Sequence, residues 1–186
     1  FNGDGKSDLA VTNLFNNSVR VFLGNADGTF QFPTTIDIGA PAYGLAASDL
    51  NGDGKLDLVV TNAAGGVTGH TLQVLLGKGD GTFQPAVGYA TGSDPFAVVI
   101  GDLNLDGALD LVVTNNSSHD FSTLLGNGSG AFQPAMTIPV GPLTGPAAIV
   151  TSDFNGDGKL DVAIVDSQAD TVSIFLGRGD GTFAIG

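Results

Sequence analysis

The sequence predicts an all-β chain folded as a β-propeller, with about four blades of four antiparallel strands in its 186 residues. Three observations carry that reading. The composition is set against helices: there are 29 Gly and 8 Pro, and all 19 acidic residues are Asp, with no Glu. Glu favours helices, whereas Asp favours turns and caps. An aspartate-rich loop of nine residues recurs in one frame, at 49–57, 102–110 and 153–161, and the chain opens inside a fourth copy at 1–8. The last aspartates of these loops, Asp8, Asp57, Asp110 and Asp161, are 49, 53 and 51 residues apart. A period near that length, with several short strands in each unit, is the mark of a propeller blade.

Each unit parses into the same series. After each loop runs an apolar strand, at 9–12, 58–61, 111–114 and 162–165, whose near-continuous apolarity predicts cover on both faces. A polar segment of varying length follows, at 13–18, 62–71, 115–120 and 166–170. A third strand then ends in Leu-Gly or its equivalent, at 19–24, 72–77, 121–126 and 172–177. Next comes a second repeated motif, Gly-Lys-Gly-Asp-Gly-Thr-Phe at 77–83 and its counterparts at 24–30, 126–132 and 177–183. Asp-Gly between strands is a tight-turn signal, and Ser129 in place of Asp leaves a turn intact, so this motif reads as structural. Its Phe is expected to anchor an outer strand between blades. The outer strands, such as 32–38 and 85–90, carry Pro, as edge strands can. Strands of small residues at 44–48, 97–101 and 147–152 suit the crowded axis. The chain is thus one domain, 1–186, in repeats of about 1–39, 40–92, 93–142 and 143–186. The first unit lacks an innermost strand and the fourth most of its outermost. The expected arrangements are a stretch of a longer propeller or array, a four-bladed ring, or blades completed by a neighbouring chain.

The loops carry the chemistry. Asp49, Asn51, Asp53 and Asp57 place oxygens at positions one, three, five and nine, and Gly54 allows a sharp turn. With the backbone carbonyl of Lys55 they form a hard-oxygen set of the kind Ca²⁺ takes. The corresponding candidate ligands are Asn2, Asp4, Lys6 (carbonyl) and Asp8; Asp102, Asn104, Asp106, Ala108 (carbonyl) and Asp110; and Asp153, Asn155, Asp157, Lys159 (carbonyl) and Asp161. An EF-hand would need Glu at position 12 and flanking helices, but Val60 stands there and the flanks read as strands. For one loop the alternative is an Asx-rich turn closed by its own side chains. Four copies in one frame favour the cation.

The formal charge is −13, and 11 of the 19 Asp lie in the four loops, so the acidity is local. It excludes nucleic-acid binding, which needs clustered Lys and Arg. No apolar run is long enough to insert into a membrane. The absence of Cys excludes thiolate chemistry. His70 and His119 both fall in polar segments and read as solvated residues rather than catalysts, and no nucleophile motif is present, so the chain is expected not to be an enzyme. Carboxylate loops fill constitutively where calcium is millimolar, which points outside the cell.

The Asp-x-Asn-x-Asp-Gly-x-x-Asp loops alternating with Gly-x-Gly-Asp-Gly-Thr-Phe turns resemble the FG-GAP (VCBS-type) repeats of integrin-α-like propellers. The resemblance covers the whole chain, with Leu105 replacing the usual glycine at loop position four. It implies structural calcium on one face and an extracellular or cell-surface role in adhesion or recognition of a protein or glycan. Other roles it allows are a structural module of a larger assembly or filament, or an accessory domain of a secreted enzyme. The variable segments share the face opposite the metal loops and, with Tyr43 and Tyr89 nearby, form the expected ligand surface. The open blade edges are sites for self-association.

Overall fold

Alternation of apolar and polar residues builds four successive antiparallel meanders. The structure, a computed structural model, describes residues 1–62, 71–142 and 144–186. The first sheet has three strands, β1 (Leu9–Asn13), β2 (Ser18–Phe22) and β3 (Thr34–Asp37). The second has β4 (Ala42–Ser48), β5 (Asp57–Asn62), β6 (Thr71–Leu75) and β7 (Val87–Ala90). The third has β8 (Pro95–Gly101), β9 (Asp110–Asn115), β10 (Asp120–Leu124) and β11 (Met136–Pro139). The fourth has β12 (Pro146–Ser152), β13 (Asp161–Asp166), β14 (Thr171–Gly177) and the short β15 (Phe183–Ile185), which completes a four-stranded blade. The innermost strands β4, β8 and β12 lie side by side in that order. The architecture is propeller-like. Among the described residues no helix is long and apolar enough to cross a membrane.

The cores lie between blades, and the period-two alternation of the strands distributes side chains to both. On β5, Leu58 and Val60 face the first blade with Val19 and Val21, while Val59 faces the third with Val98, Leu111 and Val113. On β9, Val112 turns the other way, toward Phe121, Val162 and Phe175 of the core before the last blade. There Phe121 makes edge contacts with Phe175 and Phe183, at centroid distances of 4.9 and 5.6 Å. Truncating a side chain such as Leu58 to Ala typically costs about 2–5 kcal/mol in such a core.

Cover on both faces holds for β5 and β9, which are buried throughout, but not for β1, where Leu9 and Val11 are 44% and 41% exposed. A sheet in this stack is covered only where it has a neighbour, and β1 has one on a single side. The same reason separates the turn phenylalanines. Phe83 and Phe183 pack into the core shared with the preceding blade, whereas Phe30, with no preceding blade, is exposed.

Candidate metal centre

The loops at 49–57, 102–110 and 153–161 each join an innermost strand to the second strand of its blade, and the opening loop leads into β1, so all four stand at one end of the stack. Their turn geometry is written in the backbone. Gly52 and Gly54 have φ of 72° and 80°, and Gly156 and Gly158 have 79° and 84°. Leu105 holds the same left-handed position at 61°, a conformation uncommon for a branched side chain.

Within the loop at 49–57, oxygens gather on one point. The Asp53 N–H donates to Asp49 Oδ1 at 3.1 Å and to Asn51 Oδ1 at 3.0 Å. Gly54 N–H donates to Asp49 Oδ2 at 2.7 Å, and Lys55 N–H to Asp53 Oδ1 at 3.0 Å. The loop at 102–110 repeats this through Asp106 N–H, at 3.2 Å from Asp102 Oδ1 and 3.1 Å from Asn104 Oδ1. The loop at 153–161 does so through Asp157 N–H, at 3.1 Å from Asp153 Oδ1 and 2.8 Å from Asn155 Oδ1. In the opening loop Asp4 N–H donates to Asn2 Oδ1 at 3.3 Å and Lys6 N–H to Asp4 Oδ1 at 3.0 Å. The lysines turn their ammonium groups onto the fifth-position carboxylates, with Lys6 on Asp4 at 3.1 Å, Lys55 on Asp53 at 3.0 Å and Lys159 on Asp157 at 3.5 Å. Ala108 has none to offer, and Asn104 Nδ2 donates to Asp106 Oδ2 instead, at 2.8 Å.

The ninth-position aspartates differ from the others. Asp57, Asp110 and Asp161 are fully buried at the first residue of their strands. Asp57 Oδ2 accepts the Leu50 N–H at 2.9 Å, and Oδ1 accepts the Gly77 N–H at 2.7 Å. Asp110 joins Leu103 to Gly126, and Asp161 joins Phe154 to Gly177, in the same way. Asp8 accepts the Gly24 N–H at 2.7 Å and the chain's terminal ammonium. Each thus ties the start of its loop to the glycine that opens the second repeated motif. A Cβ on Gly77 would lie 2.2 Å from the Leu56 carbonyl oxygen, so only glycine allows the two backbones to approach this closely. The sequence held this signal in the recurring Leu-Gly, whose glycine both closes the third strand and opens the second motif.

Burial pushes the Asp57 carboxyl above its ordinary value, and the carboxylates of Asp53 and Asp49 add to the push. Asp110 is raised for the same reasons, first burial, then Asp106 and Asp102. At Asp53 the pull is downward, from the Lys55 hydrogen bond.

The donor set fits a hard cation. Among the described residues no three His, Cys, Asp or Glu side chains are already drawn into a cation-holding group. The loop oxygens instead accept N–H groups of their own loop, as an Asx-rich turn would. A carboxylate oxygen has two lone pairs, so one that accepts an N–H can still face a cation. Like charges brought to one point in three loops are what a divalent ion would relieve.

The Asp-Gly turns need no such relief. Asp80 Oδ1 accepts both the N–H and the hydroxyl of Thr82, at 2.9 and 2.5 Å. Asp27 and Asp180 do the same with Thr29 and Thr182. In the third blade the acceptor moves two residues earlier, so that Asn127 Oδ1 takes the N–H and hydroxyl of Ser129. Of the two histidines, His119 sets Nδ1 against the Thr144 carbonyl. His70 and most of the longest variable segment lie outside the described residues.

Solved structures share this architecture at low identity. A crystal structure of a protein from Lactobacillus plantarum superposes with a TM-score of 0.73 at 15% identity, over 96% of this chain and 52% of that one. The chain therefore spans about half the length of that relative. The Photorhabdus luminescens Tc holotoxin pore matches with a TM-score of 0.50 at 20% identity, over 91% of this chain and 8% of the toxin chain. The V. cholerae biofilm matrix protein Bap1 aligns over 98% of this chain and 36% of its own, at 18% identity and a TM-score of 0.47. No curated protein matches the chain. The FG-GAP-like repeat model matches four overlapping stretches, 1–60, 49–113, 102–164 and 153–186, each running from one aspartate loop to the next or to the chain end, and the chain belongs to that family.

Proposed function

We propose that the chain is a calcium-stabilised, non-enzymatic propeller module that works outside the cell in adhesion or recognition. The observation that carries the calcium reading is the convergence of Asp49 and Asn51 oxygens on one N–H above the buried Asp57, repeated at 102–110 and 153–161. Bound there, Ca²⁺ would neutralise the loops and bridge their oxygens. Asp49, Asn51, Asp53 and Asp57, the Lys55 carbonyl, and their counterparts would hold it. Because the ninth aspartate also ties the loop to the Asp-Gly turn, binding energy becomes folding energy for that end of each blade. Protein or glycan recognition belongs on the opposite face, where the variable segments lie.

Thermal unfolding in millimolar calcium and in excess EDTA tests the calcium reading. Chelation is expected to lower the midpoint by many degrees. An unchanged midpoint in metal-free protein would reduce the loops to Asx turns.

A second reading, a structural module of a larger extracellular assembly, is favoured by apolar side chains left on both end blades. Phe15 and Phe32 are 92% and 101% exposed on the first, and Val172 and Ile185 are 61% and 81% exposed on the last. Solution mass decides between the readings: a concentration-dependent oligomer supports the assembly, and a stable monomer the recognition module.

A further inference from the structure

At the aspartate-loop end, a cleft of about 390 Å³ opens between the first two blades. Lys6, Lys55 and Lys78 line it, with Gly79 and the apolar side chains of Phe1 and Leu56. Two of the lysines come from successive aspartate loops, and the third from the Asp-Gly turn at 77–83. In the frame of the repeats no other junction gathers three cations. Where Lys55 and Lys78 stand, the third blade has Ala108 and Asn127. The fourth blade has Lys159 and Arg178, but Ala108 takes the place of Lys6 across from them.

The walls are set before a ligand arrives. The Gly81 N–H donates to the Phe1 carbonyl at 3.3 Å, joining the second blade's turn to the opening loop. The Phe1 ring meets Phe83 edge-on at a centroid distance of 5.9 Å and packs against the core between the two blades. The Lys55 stem lies across Gly79, where a Cβ would come within 2.9 Å of the lysine Cδ. A Cβ on Gly5 or Gly54 would meet nothing within 4 Å, so the cleft is open to solvent there. A wall whose positions are fixed beforehand loses little freedom on binding.

The lysines are engaged, but with partners that a divalent cation would also take. Lys6 stands 3.1 Å from Asp4 Oδ2, and Lys55 stands 3.0 Å from Asp53 Oδ2. Lys78 lies near Asp80. The side chains of the first two pairs are 30–43% exposed, and ion pairs so open to water hold weakly. Asp4 and Asp53 are also the fifth-position candidates for calcium in their loops. An ion held in each loop would cancel the charge of these carboxylates. Three ammonium groups would then share the cleft with the one carboxylate of Asp80, and the local field would turn toward positive. An anion gains from such a field, and each ammonium has three N–H groups to donate.

We propose that this cleft binds a tetrahedral dianion, sulfate or the phosphate of a monoester, and that calcium in the two loops opens it by freeing Lys6 and Lys55. The three ammonium groups would donate charge-assisted hydrogen bonds to its oxygens. A dianion answers three cations better than a single carboxylate does. Phe1 and Leu56, the latter 42% exposed, give an esterified group an apolar rim to lie against. The proposal rests on the calcium reading of the loops and adds a ligand class to that end of the molecule.

Amide-resolved NMR of the isotope-labelled chain tests the two readings separately. Calcium alone should shift the amides of Asp53, Asp106 and Asp157. No shift there would overturn the calcium reading and the coupling with it. Sulfate and phenyl phosphate are then titrated in calcium and in EDTA, against chloride at equal ionic strength. In calcium, saturable shifts are expected at Gly5, Lys55 and Gly79 but not at Ala108 and Gly128. Chelation should weaken them several-fold. Lys6→Gln or Lys78→Gln should weaken binding roughly tenfold, the scale of one exposed charge-assisted hydrogen bond. Arg178→Gln, at the last junction, should leave it unchanged. Glutamine keeps the backbone carbonyl that Lys6 offers to calcium, so the calcium shifts should survive in that variant. Sulfate and phenyl phosphate binding alike would assign the cleft to a free inorganic dianion. Tighter binding of phenyl phosphate would assign it to an esterified phosphate. Calcium shifts in the loops without anion shifts at the cleft would overturn the site and leave the calcium reading standing. Equal anion shifts at the Ala108 junction, or lysine variants without effect, would reduce the response to diffuse screening and overturn the site too. Binding as tight in EDTA as in calcium would overturn the freeing of the lysines.

Discussion

Two turns stand side by side at the same end of every blade, and, apart from the second turn of the third blade, both are built on aspartate and glycine. In the Asp-Gly turn, one Asp80 oxygen accepts from Thr82, and the charge stands at the surface near the Lys78 ammonium rather than among other carboxylates. In the neighbouring loop, Asp49 and Asp53 are set above Asp57, which is buried and clasped from both sides by N–H groups. The first arrangement is complete in itself. The second concentrates negative charge that its own hydrogen bonds only partly offset. The residue type is the same; the number of carboxylates sharing one small volume is what separates a turn from a cation site.

The sharpest way to break this contrast is to remove one aspartate from each. Asp110→Ala leaves the buried N–H groups of Leu103 and Gly126 without an acceptor. At about 1–3 kcal/mol for each orphaned donor, the loss is expected to be roughly 2–6 kcal/mol by urea unfolding in EDTA, and larger in calcium, where a ligand is removed as well. Asp80→Ala, in an exposed turn whose donors water can satisfy, should cost far less. Equal losses would mean that the clasp is no more structural than the turn.

Next in size is the calcium response itself. Asp53→Asn and Asp106→Asn keep an oxygen and a similar shape but remove charge. Each should abolish one site's share of the calcium stabilisation, about 2.7 kcal/mol where calcium is a hundredfold above Kd. Asp80→Asn should leave the response untouched. Comparing unfolding midpoints in calcium and EDTA for the three variants reads this directly.

A smaller effect separates the third loop from the others. Leu105 occupies a position with φ of 61° that glycine holds in the equivalent loops, and it is 58% exposed. Leu105→Gly should therefore stabilise the protein by about 1 kcal/mol, by relief of Cβ crowding in the left-handed region. A loss of stability would show that Leu105 makes a contact worth more than its strain.

The strand order, the two motifs and their shared frame were legible because they follow from local patterning that repeats. Strand limits shifted by a residue or two, bringing Asp57, Asp110 and Asp161 inside β5, β9 and β13. What was not legible depends on partners distant in the chain. That Asp57 binds Gly77, 20 residues away, could not be read from the loop alone, because its position fits a ligand equally well. Thr61 looked like one more β-branched strand residue, yet its hydroxyl joins two blades. The shift of acceptor to Asn127 in the third turn is visible only once Ser129 is seen to donate rather than accept.

The smallest predicted effect turns on proton linkage in the Asp-Gly turn. The Thr82 side chain and N–H hold the Asp80 carboxyl below its ordinary value of 3.8, and Thr182 does the same for Asp180. A folded-state value below the unfolded one means that the folded chain binds fewer protons. The stabilisation is then complete above the unfolded value and is lost as pH falls through the folded one. Thr82→Val and Thr182→Val would remove the hydroxyl donors and return both carboxyls toward 3.8. The double variant should be slightly less stable at neutral pH, and the difference from the parent should close on acidification below that value. Because both aspartates are fully exposed, the effect is expected to be small and is best read as a difference in unfolding midpoint across a pH series in EDTA. A difference that persists unchanged at the acid end would assign the threonines a packing role and leave the turn's charge without a part in its stability.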